Sequence, residues 1–411
     1  MELGIVGGGH ASIALVRALR EGGYSSPITI LEQSSFSPYE RPALSKQALE
    51  ESLDPNEFGL ASLGELEGLE VEYRSNSRVK KISRAAGLFV VDHDHGDSES
   101  YRSLVLATGV KPRRLELHVN PLTPVCYLQS LEDLLGLRSH LKSRKRILIV
   151  GAGFIGLEAA SSLRKQGHEI TVVERGNQVM NRVLGPETAT FFQTKLEQLG
   201  VRILLEDSIE DITFDQVSSD STFLLSSATE FTADLVLVSI GVQPITDFIH
   251  LDVEMSGEHV LVDSEGKTSV PGLYAIGDIA ARPNPQNQQE LVKIQSIDAA
   301  SLAAERLAKH LLGAELDDYS LWLPRFWSEQ AGQKLQIAGL RPNDAYVAIR
   351  GDLASDSFSI GYFIEGRLVA AECVNAPVDF LNARKLIQAR VKIDPVSFSD
   401  TSTNLKTLLQ V

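Results

Sequence analysis

Two short stretches have the residue types and spacing to hold a phosphate. Gly7-x-Gly9-x-x-Ser12 is followed by Glu32, and Gly151-x-Gly153-x-x-Gly156 is followed by Glu174. Glycine lets a backbone approach a pyrophosphate closely, and a helix opening after the turn offers free N–H groups and the positive end of its dipole. An acid closing the next strand can accept hydrogen bonds from ribose hydroxyls. Ser12 takes the place of the third glycine, which packs helix against strand, and a small residue is expected to be tolerated there. Two such sites in one chain imply two dinucleotides, and the natural pair is a flavin and a nicotinamide that exchange a hydride. A carboxylate at Glu174 would accept both ribose hydroxyls of NAD and repel a 2′-phosphate, which favours NADH; Arg175 beside it keeps NADPH open.

A third stretch, FSPYERPALSKQ at 36–47, places Pro38, Pro42, Glu40, Arg41 and Lys46 together and contains no cysteine. The prolines restrict the backbone, so the expectation is a braced turn leading into a short helix that ends near Lys46, delivering its cation to a defined place.

The elements that must position these residues come in repeated order. "LGIVGGGHAS" leads through an apolar-periodic stretch to "ITILEQ", and "ILIVGAGFIGLEAASSLRKQG" leads to "EITVVER". "LVLATGVKP" at 104–112 is echoed by "LVLVSIGVQP" at 235–244. The repeat predicts an α/β fold with two doubly wound, Rossmann-like nucleotide-binding domains. "VPGLYAIGDIA" at 270–280 adds a strand that should join one of them, and alternating strands followed by a helix after about residue 320 predict a C-terminal α+β domain. The expected boundaries are 1–116 with 241–320 for the first, discontinuous domain, 117–240 for the second and 321–411 for the third. Stretches 92–100 and 282–290 are expected to be polar loops, and "KSRKR" at 142–146 a solvated loop before a strand.

A chain of 411 residues with 43% hydrophobic and 23% charged residues can bury a sizeable core in several domains. Its formal charge of −15 argues against nucleic acid or an anionic membrane as partner, since neutralising phosphates takes Lys and Arg. No apolar run is long enough to span a bilayer, and the first strand starts too near Met1 for a signal peptide, so a cytoplasmic protein is expected. Cys126 and Cys373 stand far apart without metal-ligand spacing, so no metal site, disulfide or Cys-x-x-Cys pair is expected.

Taken together, "YERPALSK", "LVLATGVKPRRL", "GAGFIGLEAA", "LYAIGD", "FWSEQ" with "KLQIAGL", and "VNAPVDFLNARKLI" resemble the FAD-dependent ferredoxin reductases of the pyridine nucleotide–disulfide oxidoreductase superfamily, along nearly the whole chain. The resemblance implies a glutathione-reductase-like architecture and an NADH-dependent reductase, monomer or homodimer. Electrons would pass through FAD to an iron–sulfur ferredoxin feeding an aromatic-ring dioxygenase or haem monooxygenase. It implies that Gly7, Gly9, Ala11, Glu32, Val79, Thr108, Gly109 and Asp278 bind FAD, with Gln129 and Ile297 near the flavin where relatives often have Arg and Trp or Val. Gly151, Gly153, Ile155, Gly156, Glu174 and Gly241 would bind the nicotinamide dinucleotide. Lys46 and Glu158 would pair beside flavin N5, and Trp327 would shape the redox surface.

Where relatives read Gly-Asp this chain has Glu32-Gln33, which places the ribose acid one position earlier, and Lys293-Ile294-Gln295 replaces a common Arg-x-Glu. On the residues alone, Glu158 could face solvent and Trp327 could be a plain core aromatic. The competing functions are an NADH oxidase or quinone reductase of the same architecture, or a flavin-based redox sensor. Disulfide reduction is excluded because no cysteine precedes residue 126.

Overall fold

The computed structural model describes residues 2–51, 55–117, 122–215 and 220–410. They form two compact units. The first comprises Met1–Glu40, Asp54–Lys111 and Val242–Trp322; the second comprises Arg41–Leu53, Pro112–Gly241 and Leu323–Val411.

The first unit is built on a five-stranded sheet in the order Leu273–Ala275, Ser103–Leu106, Leu3–Val6, Ile28–Leu31, Val71–Arg74. All pairings are parallel, and the three central strands are buried along their whole length. A parallel sheet needs cover on both faces, and the side-chain period of two divides its residues between two cores. Leu3, Ile5, Ile28, Ile30 and Val105 face the helices His10–Glu21 and Ile297–Leu312 through Leu15, Leu19, Ala304 and Leu307. Val6, Leu31, Leu104 and Leu106 face an antiparallel three-stranded layer through Phe89, Val91 and Tyr101. That layer is Val79–Ala85, Leu88–His93 and Ser98–Tyr101. The polar loop expected at 92–100 is therefore a hairpin turn with strand on either side, and buried His93 bonds Ser77 and Glu99. Polar residues run into these strands because one face is solvated. Arg282 and Pro283 of the second expected loop likewise belong to a strand, Ala280–Pro283.

The second unit repeats the plan. Its sheet runs Arg202–Leu205, Glu169–Glu174, Arg146–Val150, Leu235–Val238, Val125–Cys126, again parallel throughout. It too carries an antiparallel layer, Ile209–Asp215, Asp220–Leu225 and Glu230–Ala233, packed through Ile212 and Phe223 onto Leu148, Val173 and Val236. The "LYAIGD" strand, Leu273–Ala275, joins the first sheet at the edge position that Val125–Cys126 occupies in the second.

The C-terminal part of this unit is a five-stranded antiparallel sheet ordered Arg325–Gln330, Gln333–Gly339, Arg367–Val374, Phe358–Ile364, Tyr346–Gly351. Helix Pro377–Ala389 packs on it through Phe380, Ala383, Leu386 and Ile387. In 41–53, Arg41–Ala43 forms one 3-10 turn, and Lys46 is the N-cap of the short helix Gln47–Glu50. The helix begins after Lys46, where one ending near it was expected, because Ala48 and Leu49 are the apolar residues the segment buries.

Candidate active site

In the first unit the strand Leu3–Val6 ends on Gly7, whose φ is +101° and where a Cβ would lie 2.5 Å from the Ala107 carbonyl oxygen. Only glycine fits that conformation and that approach. The helix that follows is N-capped by Gly9 without any side-chain cap, so its leading amides are left for another acceptor. Glu32 closes the site: its carboxylate accepts the Gly8 N–H at 2.6 Å and the Ser34 N–H at 2.8 Å. Ser12 is accommodated because its hydroxyl donates to the Gly7 carbonyl at 2.5 Å and so fixes the turn it would otherwise crowd. Asp278 lies on the 3-10 turn Gly277–Ile279, which runs close enough to the glycine helix that a Cβ on Gly277 would lie 3.2 Å from the Ala11 Cβ. Thr108 donates to the Ile245 carbonyl at 3.0 Å, with Gly109 next to it at the end of the neighbouring strand. Half-buried Ile297 opens the helix Ile297–Leu312, and Val79 opens the antiparallel layer.

The second unit repeats the turn, the uncapped helix and the acid with its two backbone bonds. Gly151 has φ +102°, and a Cβ there would lie 2.3 Å from the Ser239 carbonyl oxygen. Gly153 is an N-cap without a side-chain cap, and Glu174 accepts the Ala152 and Gly176 N–H groups, each at 2.7 Å. Gly156 could not be Ser here, since its Cβ would lie 2.3 Å from the Gly151 carbonyl oxygen. Ile155 is half-buried on the first turn, Arg175 is exposed beside Glu174, and Gly241 lies beyond the strand Leu235–Val238. Gln129 is half-buried, its N–H bonded to Asp133 at 3.0 Å. In both sheets the turn sits where strand order reverses, at the carboxyl ends of the strands, which is where open α/β sheets bind ligands.

The same unit holds a charged pair. Lys46 Nζ lies 2.8 Å from Glu158 Oε1, the lysine side chain 26% exposed and the glutamate 6%. Glu158 is thus buried on its helix, where a solvent-facing glutamate would be the default, and a buried carboxylate must have donors. Besides Lys46 it accepts Ser45 Oγ on Oε2 and Ser328 Oγ on Oε1, both at 2.6 Å. Ser45 and Ser328 lie inside the stretches YERPALSK and FWSEQ, but the resemblance assigned neither a role; adjacency to Lys46 and strand alternation from Trp327 were further signals that could have found them. Trp327 itself is 51% exposed and is not a core aromatic.

No reactive thiol accompanies these groups. Burial, with a smaller contribution from Asp133, pushes the Cys126 thiol up to about 11. Burial pushes that of Cys373 up to about 12. Among the described residues no cluster of His, Cys, Asp and Glu could hold a metal, and no helix is long and apolar enough to cross a membrane.

The family model "Pyridine nucleotide-disulphide oxidoreductase" matches residues 1–304, and "Reductase C-terminal" matches 325–409. The chain belongs to this family, in its ferredoxin reductase branch. It is 33% identical to rhodocoxin reductase of Rhodococcus erythropolis over 407 residues, covering 99% of this chain and 94% of that one. It superposes with a TM-score of 0.92 on the ferredoxin reductase for the CYP199A2 system from Rhodopseudomonas palustris, at 30% identity and 99% coverage of both chains. The reductase in the covalent putidaredoxin reductase–putidaredoxin complex gives a TM-score of 0.92 at 26% identity, covering 100% of this chain and 98% of that one. Family membership implies FAD and NAD(P)H, and the residues present fit two dinucleotides. Each unit has a cradle that a Cβ would fill, an uncapped helix N-terminus and an acid at the ribose position.

Proposed function

We propose that this oxidoreductase takes electrons from NADH, in preference to NADPH, and delivers them to an iron–sulfur ferredoxin serving an oxygenase. The observation that carries the reading is the duplicated cradle: two dinucleotide sites of equal construction in one chain whose only thiols are held protonated. Bound FAD would supply the conversion of one hydride into two single electrons. Gly7, Gly9 and Ala11 would leave room for its pyrophosphate and Glu32 would take the ribose, while Asp278 would accept from the ribityl chain. Val79, Thr108, Gly109, Gln129 and Ile297 would line the rest of the site.

Gly151, Gly153, Ile155, Gly156 and Gly241 would shape the second cradle around NADH. Glu174 is held by two backbone N–H groups. That fixes its negative charge where a 2′-phosphate would fall and supports NADH, although exposed Arg175 lies alongside. Lys46, its desolvation offset by buried Glu158, would stand at flavin N5 as a cation and favour negative charge on the reduced ring. Exposed Trp327 would offer an aromatic surface to the ferredoxin.

Rapid mixing with NADH or NADPH, followed by reduction of an added ferredoxin, tests this reading. NADH is expected to reduce the flavin with kcat/KM at least about tenfold above that of NADPH, about 1.4 kcal/mol of discrimination. Lys46→Met is expected to retain FAD and to slow flavin reduction about tenfold. Rapid NADH oxidation by oxygen with no ferredoxin reduced would reject the reading, and Lys46→Met at wild-type rate would reject the role of the pair.

A further inference from the structure

We infer that Ser328, together with Ser45, is a positioning residue that fixes the Glu158 carboxylate against Lys46 and so sets the rate of flavin reduction. The inference rests on the proposed role of the Lys46–Glu158 pair. Glu158 Oε1 receives both Lys46 Nζ at 2.8 Å and Ser328 Oγ at 2.6 Å, and Oε2 receives Ser45 Oγ at 2.6 Å. The donors come from two stretches of chain: Ser45 and Lys46, just before Gln47–Glu50, and Ser328 on the strand Arg325–Gln330. With a hydroxyl on each oxygen, the carboxylate cannot turn about its terminal torsion without breaking a bond to a buried group.

The direction of the Ser328 hydroxyl is settled by chemistry. Gln330 Nε2, which can only donate, lies 3.0 Å from Ser328 Oγ. Ser328 accepts from Gln330, and its single proton goes to Glu158, a chain in which each bond strengthens the next. Ser328 and Gln330 are 3% and 1% exposed, so water does not substitute for either. The strand is anchored a second time, one turn along the same helix face, by the Ala331 N–H to Ser161 Oγ at 2.8 Å. Meanwhile Ser45 offers its carbonyl to Ser162 Oγ at 3.0 Å. The helix Phe154–Lys165 thus carries Glu158 on a face clamped by serines from both sides. Alternation along the strand leaves Trp327 outward while Ser328 points in, so one strand holds both the exposed indole and the lock on the buried carboxylate.

The test uses the FAD-loaded protein with Ser328→Ala, Ser45→Ala, Glu158→Gln and the double variants. Ser328→Ala is expected to keep full flavin content, to shift the flavin midpoint potential, and to slow flavin reduction by NADH about five- to tenfold, the loss of one hydrogen bond to a charged group. Ser45→Ala should act in the same direction. In the Glu158→Gln background, Ser328→Ala should change the rate less than about 1.5-fold, because the carboxylate that Ser328 holds is gone. A merely structural serine would give the same factor in both backgrounds, and that result overturns the inference. So does a wild-type rate and potential in Ser328→Ala while Lys46→Met is slow. A wild-type rate in Lys46→Met overturns the role of the pair itself.

Discussion

At the scale of single residues, the two glycine turns show how one motif tolerates different third residues. Ser12 satisfies its own hydroxyl on the Gly7 carbonyl, whereas a Cβ at Gly156 would lie 2.3 Å from a backbone oxygen that has nowhere to go. Gly156→Ala gains about 1 kcal/mol of helix propensity, which the clash outweighs. The variant is expected to raise KM for NADH at least about tenfold with FAD content unchanged, while Ser12→Ala, losing one hydrogen bond worth about 1 kcal/mol, should mainly loosen FAD. Steady-state kinetics and the flavin-to-protein ratio check both; loss of FAD from Gly156→Ala would contradict the assignment of the second turn to NADH. The turns and their acids were legible in the sequence because glycine and carboxylate spacing is dictated by backbone geometry. Ser45 and Ser328 were not, since hydroxyls repeat at no period and these two meet Glu158 only through tertiary packing.

At the scale of elements, the strand Phe358–Ile364 is buried on both faces at nearly every position, so alternation could predict a strand there and not its surroundings. One contact that covers it is Phe191, whose ring meets Phe358 edge-on at 5.1 Å from the helix Pro186–Gln198. That packing traps Glu372, fully buried on the adjacent strand. Its Oε1 accepts the Tyr362 hydroxyl at 2.9 Å and the N–H of Gly185, the N-cap residue of that helix, at 3.0 Å. Burial raises its pKa above the ordinary 4.5, and Thr188, Gly185, Tyr362 and Arg341 only partly restrain the rise. An acid whose folded pKa is raised holds its proton longer when folded than when unfolded. Its favourable contribution is therefore complete below the unfolded value and is lost as pH climbs through the folded one. Glu372→Gln keeps both acceptor contacts and removes the titration. Thermal midpoints across about pH 5 to 8 should fall less steeply for this variant, matching or exceeding wild type at the alkaline end. Parallel curves would show that Glu372 carries no such linkage.

At the scale of the whole molecule, the family is named for disulphide chemistry, and this chain has its architecture without its thiols. Fold alone does not choose between these reactions; the groups placed on it do. A disulfide reductase needs a thiolate, and with thiol pKa values of about 11 and about 12, Cys126 and Cys373 are ionised to about one part in ten thousand or less at neutral pH. Neither lies in the stretch 36–47, where Lys46 stands, and burial protects Cys373 completely. On the proposed reading, the cation and its buried carboxylate would serve a flavin that must hold a negative charge when reduced. The double variant Cys126→Ala, Cys373→Ala should therefore reduce ferredoxin with NADH at the wild-type rate. Its thermal midpoint should fall, since emptying the Cys373 site costs about 1 kcal/mol. Glutathione disulfide and lipoamide should remain unreduced by the wild-type protein. A folded double variant that binds FAD and oxidises NADH but no longer passes electrons to ferredoxin would return a thiol to the mechanism.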